Sequence, residues 1–270
     1  MNLIYQWIPW AYSHSACEIA KNNLWLKNVD FVWYSDFSTV WEKIDSKNIW
    51  VIPVVNSYAG NIHENLYNFL RYDNKIIWEI NLEINHCLLS KEDSIEKIKK
   101  VYSHPQALSQ CHNFLKKHNI KAINGWDTAW SAKLVSELEE KWVWALASSL
   151  AWKMYNLKSL KCWVQDQEWN TTRFFVVTPK NLDLDFKDKK NKTTIIFEAK
   201  NIPASLYKCL WAFATNWVNL TKIESLPNLK WPFSYLFWLD FEWSLSDLNV
   251  KKALEELEFF TLYIKVLWEY

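Results

Sequence analysis

The 270-residue chain reads as an α/β protein: two α/β lobes facing each other across a cleft, then a smaller βαββαβ unit. Three observations predict this. Short apolar runs alternate with amphipathic stretches from residue 2 onward, the pattern of sheets whose ligands sit beyond the carboxyl ends of their strands. The alternation restarts near Glu79, which gives two sheet-building series. From residue 194 the order is strand, helix, strand, strand, helix, strand, the ferredoxin-like arrangement. Clefts between lobes are the usual place for a small ligand.

In chain order, residues 2–6 form a first strand, and the segment from Trp7 to Ser13 is a loop into a helix. Ser13 can cap that helix, and the free amides of its first turn suit an anion. A strand over 31–34, a helix over 37–46 and a strand over 49–54 follow. Asn56 and Ser57 lie just past this third strand, where they either cap a helix or contact a ligand. From Glu79 an alternating strand runs through His86 into the buried Cys87-Leu88-Leu89. Residues 101–107 lead into a helix reaching about Lys117. A strand over 120–123 precedes a helix capped by Asp127 or Thr128, and Ala145-Leu146-Ala147 is a further small-residue strand.

Asn170-Thr171-Thr172-Arg173-Phe174 stands at the mouth of the apolar strand Phe175-Val176-Val177. A Thr hydroxyl can donate to a departing oxygen without carrying charge. An Arg fork matches a carboxylate at two points. Strict alternation places Thr172 and Phe174 on one face and Arg173 on the other, so both reach a cleft only if the strand starts irregularly. Residues 180–193 are charged and aperiodic, a linker between a part spanning 1–179 and one spanning 194–270. The latter divides into a strand (194–200), helix (203–216), strands (218–225 and 233–242), helix (248–258) and strand (260–267). It carries no catalytic cluster, which suits binding or oligomerisation.

Composition excludes several classes. Lys plus Arg is 31 and Asp plus Glu is 30, so no global field favours nucleic acid or an acidic membrane. No apolar run has the length of a membrane span, and the start lacks the pattern of a signal peptide. The five cysteines include no Cys-x-x-Cys pair and read as reduced, mostly buried thiols in a cytoplasmic protein. The histidines show no metal-binding spacing and suit capping or core roles. No glycine loop cradles phosphate.

One number is abnormal: 20 Trp against 2 Gly, where average usage gives roughly 19 Gly. All but Trp41, Trp126 and Trp238, 17 of the 20, stand where a turn or close approach wants Gly. The expectation is a conceptual translation in which a codon meaning Gly in the source, UGA, was read as Trp.

Taken together, the segments resemble the prephenate dehydratase family over nearly the whole chain. The carriers are Tyr5 to Ser13, with Trp where the family has Gly, and Pro53-Val54-Val55-Asn56-Ser57-Tyr58-Ala59-Gly60. Ser103-His104-Pro105-Gln106-Ala107-Leu108, Asp127-Thr128-Ala129 and the Thr-Arg-Phe signature Thr172-Arg173-Phe174 follow in the family's order. The tail, with Asn219-Leu220-Thr221-Lys222-Ile223-Glu224-Ser225, resembles the ACT regulatory domain attached to these enzymes.

The resemblance implies a periplasmic-binding-protein-like (type II) catalytic part over 1–179 and an ACT domain over 194–270. It implies loss of CO2 and hydroxide from prephenate to give phenylpyruvate, with no cofactor and no metal. Catalysis would fall to Thr172 as donor, Arg173 as grip on the pyruvyl carboxylate and Phe174 as a wall against water. Ser13, Asn56, Ser57, Thr128 and Asn170 would bind substrate. Phenylalanine would be an effector bound between ACT domains of a homodimer or homotetramer, at Ala204-Ser205-Leu206 and a Glu224-Ser225 turn. There the family has Gly-Ala-Leu and Glu-Ser-Arg-Pro, so this chain lacks a Gly and an Arg. No chorismate-mutase-like helix precedes residue 1, which fits the monofunctional form. Two other readings stand beside this one: an arogenate dehydratase, and a non-catalytic two-lobed binder with an ACT sensor.

Overall fold

The computed structural model describes residues 1–9, 11–43, 47–182 and 192–269. The chain divides into two compact units, Met1–Tyr72 with Glu79–Val176, and Asp73–Trp78 with Val177–Tyr270. The expected linker falls mostly on 183–191, outside the described residues, as do Trp10 and the end of the helix expected over 37–46.

The first unit holds two sheets. One contains β1 (Asn2–Gln6), β2 (Asp30–Tyr34), β3 (Asn48–Asn56), β4 (Gly60–Asn61) and, through its residues from Glu79 on, β5 (Asn74–Glu83). The other contains β6 (Cys87–Ser90), β7 (Lys100–Ser103), β8 (Lys121–Asn124), β9 (Val143–Ala147) and β10 (Lys158–Cys162). The chain then returns to the first sheet as β11 (Thr171–Pro179), giving the order β2-β1-β3-β11-β5, with β4 paired to β3. The second sheet runs β10-β6-β9-β7-β8. β1 is parallel to both β2 and β3, and β3, flanked by β1 and β11 inside the sheet, is buried along nearly its whole length. Helices α1 (Tyr12–Asn23), α2 (Phe37–Glu42) and α3 (His63–Arg71) pack on the first sheet, and α6 (Thr128–Glu137) packs on the second. The short α4 (Pro105–Gln110), α5 (His112–Lys117) and α7 (Ser149–Met154) complete the unit.

Three local expectations are corrected. The strand expected from Glu79 into Leu89 is two strands in different sheets. The chain changes sheet at Ile84–His86, where the Ile84 amide turns to the Asn170 carbonyl at 2.7 Å. The helix expected to reach Lys117 breaks at Cys111, because the Asp166 carboxylate accepts the Asn113 and Phe114 amides and starts a second helix. Cys87 and Cys162 face each other in the antiparallel β6–β10 pair and form a disulfide. Cys17, Cys111 and Cys209 are buried free thiols.

The second unit contains β12 (Lys192–Ala199), α8 (Ser205–Thr215), β13 (Leu220–Pro227), β14 (Tyr235–Glu242), α9 (Leu248–Glu258) and β15 (Thr261–Glu269). Its antiparallel sheet is ordered β13-β14-β12-β15, the ferredoxin-like order expected. Ile195, Phe197, Leu239 and Phe241 pack against Cys209, Phe213, Val250 and Leu257 of the two helices. Glu224 and Ser225 lie within β13 and not in a turn. Ala204, where the family has Gly, caps α8 at φ 60°.

The tryptophans can now be judged by backbone. Trp7, Trp25, Trp142, Trp163, Trp217 and Trp243 all have positive φ, between 50° and 93°. Trp25 and Trp217 each follow a helix end closed by a bond from the next amide to a carbonyl five residues back, Leu26 to Lys21 and Val218 to Phe213. That is the position where Gly, or less often Asn, ends a helix. Asn119 and Asn156 occupy it at two other helix ends here, with Ile120 bonded to Leu115 and Leu157 to Trp152. Trp41 and Trp238, by contrast, are fully buried with indole N–H groups bonded to Asn65 and Asp240. Trp126 departs from expectation, because it is 64% exposed. Trp50 departs in the other direction, buried and bonded to the Val40 carbonyl.

Six bulky residues in the left-handed region would cost roughly 6–12 kcal/mol at about 1–2 kcal/mol each. That rivals the whole stability of a typical domain. The chain with Gly at the 17 positions is expected to be soluble, and the literal chain to aggregate or unfold. Mass spectrometry of the native protein decides the matter. Peptides bearing Trp at positions 7, 25 and 217 would end the idea.

Candidate active site

The carboxyl ends of β1, β3 and β7 and the starts of α1, α4 and α6 surround a cavity of about 360 Å³ in the first unit. Its apolar wall is Ala11, Phe37, Pro53, Ile84, Ala107 and Phe174, and its polar groups include Ser13, Asn56, His86, His104, Gln110, Asp127, Thr128 and Thr172. Among the described residues, none that lines it is a lysine or arginine. Two longer helices, α1 and α6, present their first turns to it through Ser13 and Thr128. Ser13 does not cap α1. Ala11 holds that position without a side-chain bond. Asp127 caps α6 by accepting the Trp130 amide at 2.8 Å.

Asn56 is the junction of a buried amide network. Its Oδ1 accepts the backbone amides of Tyr58 and Ala59 at 3.0 and 2.9 Å. This fixes which way the amide points, so Nδ2 must be the donor on the other side. Nδ2 donates to Thr172 Oγ1 at 2.9 Å and to Asn170 Oδ1 at 2.8 Å. Asn170 therefore donates from Nδ2 to Gln110 Oε1 at 3.0 Å. Gln110 Oε1, already an acceptor, lies 2.8 Å from His86 Nε2, so Nε2 carries a proton. His86 Nδ1 lies 3.0 Å from the Tyr12 hydroxyl, which is also 2.8 Å from the Asn85 carbonyl. All of Asn56, His86, Gln110, Asn170 and Thr172 are buried.

Burial sets the ionisation here. It holds His86 and His104 below the ordinary histidine value, opposed by the Gln110 hydrogen bond in the first case and by Asp127 in the second. Burial also lifts the Asp127 carboxyl, against the pull of the Trp130 and Ala129 amides and His104.

The structure brings Thr172, Phe174, Asn56, Ser13 and Thr128 to the cavity. Asn170 sits behind the wall and orients Asn56. Ser57 is not part of the lining: its hydroxyl donates to the Trp169 carbonyl and accepts the Thr171 amide, at 2.8 and 2.9 Å. It pins the two loops together. Arg173 is the main correction. β11 is regular from Thr171, so Arg173 turns away from Thr172 and Phe174. Its Nε donates to Glu79 at 2.7 Å, and its guanidinium lies 4.6 Å from the Phe175 ring centre. The substrate-gripping role expected of it is not met. Sequence reasoning missed Tyr12, His86, Gln110, His104 and Asp127 as cavity groups. The signal for His86 was the break in alternation at Ile84-Asn85-His86. Gln110 lies one turn beyond Gln106 on α4.

Arg173 and Glu79 are 13% and 19% exposed, a partly buried pair, so losing one partner costs less than the roughly 3–5 kcal/mol of a fully buried one. Arg173→Ala and Glu79→Gln are each expected to lower Tm while leaving KM within a few-fold in the folded fraction. A large KM rise from Arg173→Ala alone would restore its grip on substrate.

A family model for prephenate dehydratase matches residues 4–182. The chain is 35% identical to arogenate dehydratase/prephenate dehydratase 2 of Arabidopsis thaliana, over 100% of this chain and 72% of that one. It is 37% identical to the prephenate dehydratase of Methanocaldococcus jannaschii, over 86% and 84%. The solved prephenate dehydratase of Staphylococcus aureus superposes with a TM-score of 0.87 at 26% identity, covering both chains fully. The mixed α/β fold of the cavity-bearing unit agrees with these matches. The chain belongs to the prephenate dehydratase family and is a carbon–oxygen lyase.

Proposed function

We propose that the cavity converts prephenate to phenylpyruvate with Thr172 as the donor to the departing oxygen. The observation that carries this is the Asn56 Nδ2 bond to Thr172 Oγ1. Because the hydroxyl oxygen accepts from Asn56, its own proton is left to point into the cavity. The electron pair of the ring–carboxylate bond flows into the ring as CO2 departs. The opposite carbon–oxygen bond breaks with its electron pair on the oxygen, which departs as hydroxide held by the Thr172 hydrogen bond and becomes water by taking a proton from solvent. Aromatisation supplies the driving force, so the protein has to hold, orient and desolvate. Phe174, Ile84 and Pro53 keep the leaving carboxylate in an apolar wall, and the starts of α1 and α6 at Ser13 and Thr128 receive the carboxylate that stays. Arogenate, which differs in carrying an amino group, is the alternative substrate; the ratio of kcat/KM values separates the two.

Thr172→Ala is expected to lower kcat by roughly 10²–10⁴-fold with little change in KM, and Thr172→Ser to keep most of the rate. Thr171→Ala, outside the lining, should be mild. Equal losses at both positions would sink the assignment.

For the second unit we infer an ACT-type regulatory role, with phenylalanine bound between copies in a dimer or tetramer, in a cytoplasmic enzyme. No helix among the described residues is long and apolar enough to cross a membrane. The support is the ferredoxin-like sheet, which sets Ala204 to Leu206 at the start of α8, beyond β12, at the same end as Glu224 and Ser225 of β13. Ala204 in the left-handed region marks where the family's Gly would sit unstrained. Ala204→Gly is expected to stabilise the chain by about 1 kcal/mol and to tighten phenylalanine binding in calorimetry. No binding at millimolar phenylalanine in either protein would reject the regulatory reading.

A further inference from the structure

Prephenate is a dianion at neutral pH, since both carboxylic acids ionise far below it. Among the described residues, the lining offers it no lysine or arginine, and it adds a carboxyl group of its own, Asp127. Among the described residues the ionisable lining groups are Tyr12, His86, His104 and Asp127, so within this lining positive charge comes from one of the two imidazoles or from helix dipoles.

The histidines differ in what their free nitrogen can do. His104 Nδ1 accepts the Gln106 amide at 3.2 Å and caps α4. A proton there would break the cap and place a cation at the amino end of a helix. At His86 the amide network already requires a proton on Nε2, donated to Gln110. The Nδ1 site faces a hydroxyl with two possible roles. With a neutral ring, Tyr12 donates to Nδ1. If Nδ1 gains a proton, Tyr12 turns its own proton to the Asn85 carbonyl and accepts from the ring. Both charge states are then fully hydrogen-bonded with no heavy atom moved, which a histidine of purely structural use does not need.

We propose that His86 takes up a proton from solvent as prephenate binds, so that its imidazolium supplies the positive charge facing the dianion. One N–H bond forms at Nδ1, the Tyr12 O–H reorients, and the proton is returned when product leaves. This rests on the prephenate reading above.

The groups around His86 are compatible with this. From α1 comes the Tyr12 hydroxyl, which burial keeps protonated. From α4 come neutral Gln110 and, next to it, the Cys111 thiol, which burial pushes up to about 12. The Gln165 amide oxygen accepts the His86 backbone N–H. The neighbouring Cys87 is held in a disulfide and does not titrate. Asp166 is engaged at the start of α5, and Asp127 and His104 are the other ionisable groups of the lining. In the empty cavity burial favours the neutral ring; the bound dianion reverses that preference. A ring neutral when free and protonated when occupied makes binding weaken as pH rises through the interval between the two states.

The test is kcat and KM for prephenate, followed by phenylpyruvate formation, from about pH 6 to about pH 9, the range in which histidines titrate. In the soluble full chain KM is expected to climb, approaching about tenfold per pH unit, with kcat nearly flat. His86→Gln should give a high KM without slope. Tyr12→Phe, which keeps the ring but removes the acceptor for Nδ1–H, should flatten the slope even if His86→Gln fails to fold. Asp127→Asn should keep it. Turnover with a flat KM overturns this proposal alone, as does a slope that survives Tyr12→Phe and vanishes in Asp127→Asn. No turnover of prephenate overturns the substrate reading and this proposal with it.

Discussion

The Asn56 side chain decides the polarity of the site. Two backbone amides from its own loop hold Oδ1, and every other assignment follows by exclusion. Nδ2 must give to Thr172 and Asn170, Asn170 must give to Gln110, and Gln110 must receive from His86. A buried amide that could flip would leave the Thr172 proton undirected. Because unpaired polar groups in such an interior are costly, the chain from Asn56 to His86 has one consistent arrangement. It also joins both sheets of the first unit, since Asn56 and Thr172 belong to one and Gln110 and His86 to segments that build the other.

This explains which parts of the site could be read from sequence. Thr172 and Phe174 follow from period-two alternation on β11, and the same rule argued against Arg173 reaching the cavity. The resemblance pointed the other way at Arg173, and here the geometry of the strand prevails: the guanidinium finds Glu79. Ser13, Asn56 and Thr128 were legible because strand ends and helix starts are where α/β sheets bind. Gln110 and His86 were not legible, because their partners lie 60 and 24 residues away. No local pattern announces a hydrogen bond of that separation.

The fold was legible where a run of one period was long. The ferredoxin-like order of the second unit and the two series of the first emerged from alternation alone. Boundaries failed where a distant group intervened. Asp166 ended one helix and started another, and the Asn170 carbonyl drew Ile84 out of its strand. The cysteine pair was likewise a matter of register, set by the pairing of β6 with β10 and invisible in the spacing of Cys87 and Cys162.

The placement of charge has a chemical logic. A fixed arginine against both carboxylates would stabilise the ground state of the one that must leave, which raises the barrier to decarboxylation. Helix starts are weaker and directional, and they can serve the carboxylate that stays. An imidazole charged only when the cavity is occupied costs the empty enzyme no buried cation. Keeping Arg173 in an ion pair behind the wall, and Thr172 neutral in front of it, lets β11 carry both without placing permanent charge beside the breaking bond. The two faces of a single strand thus separate the charge paired inside the structure from the hydroxyl that lines the cavity.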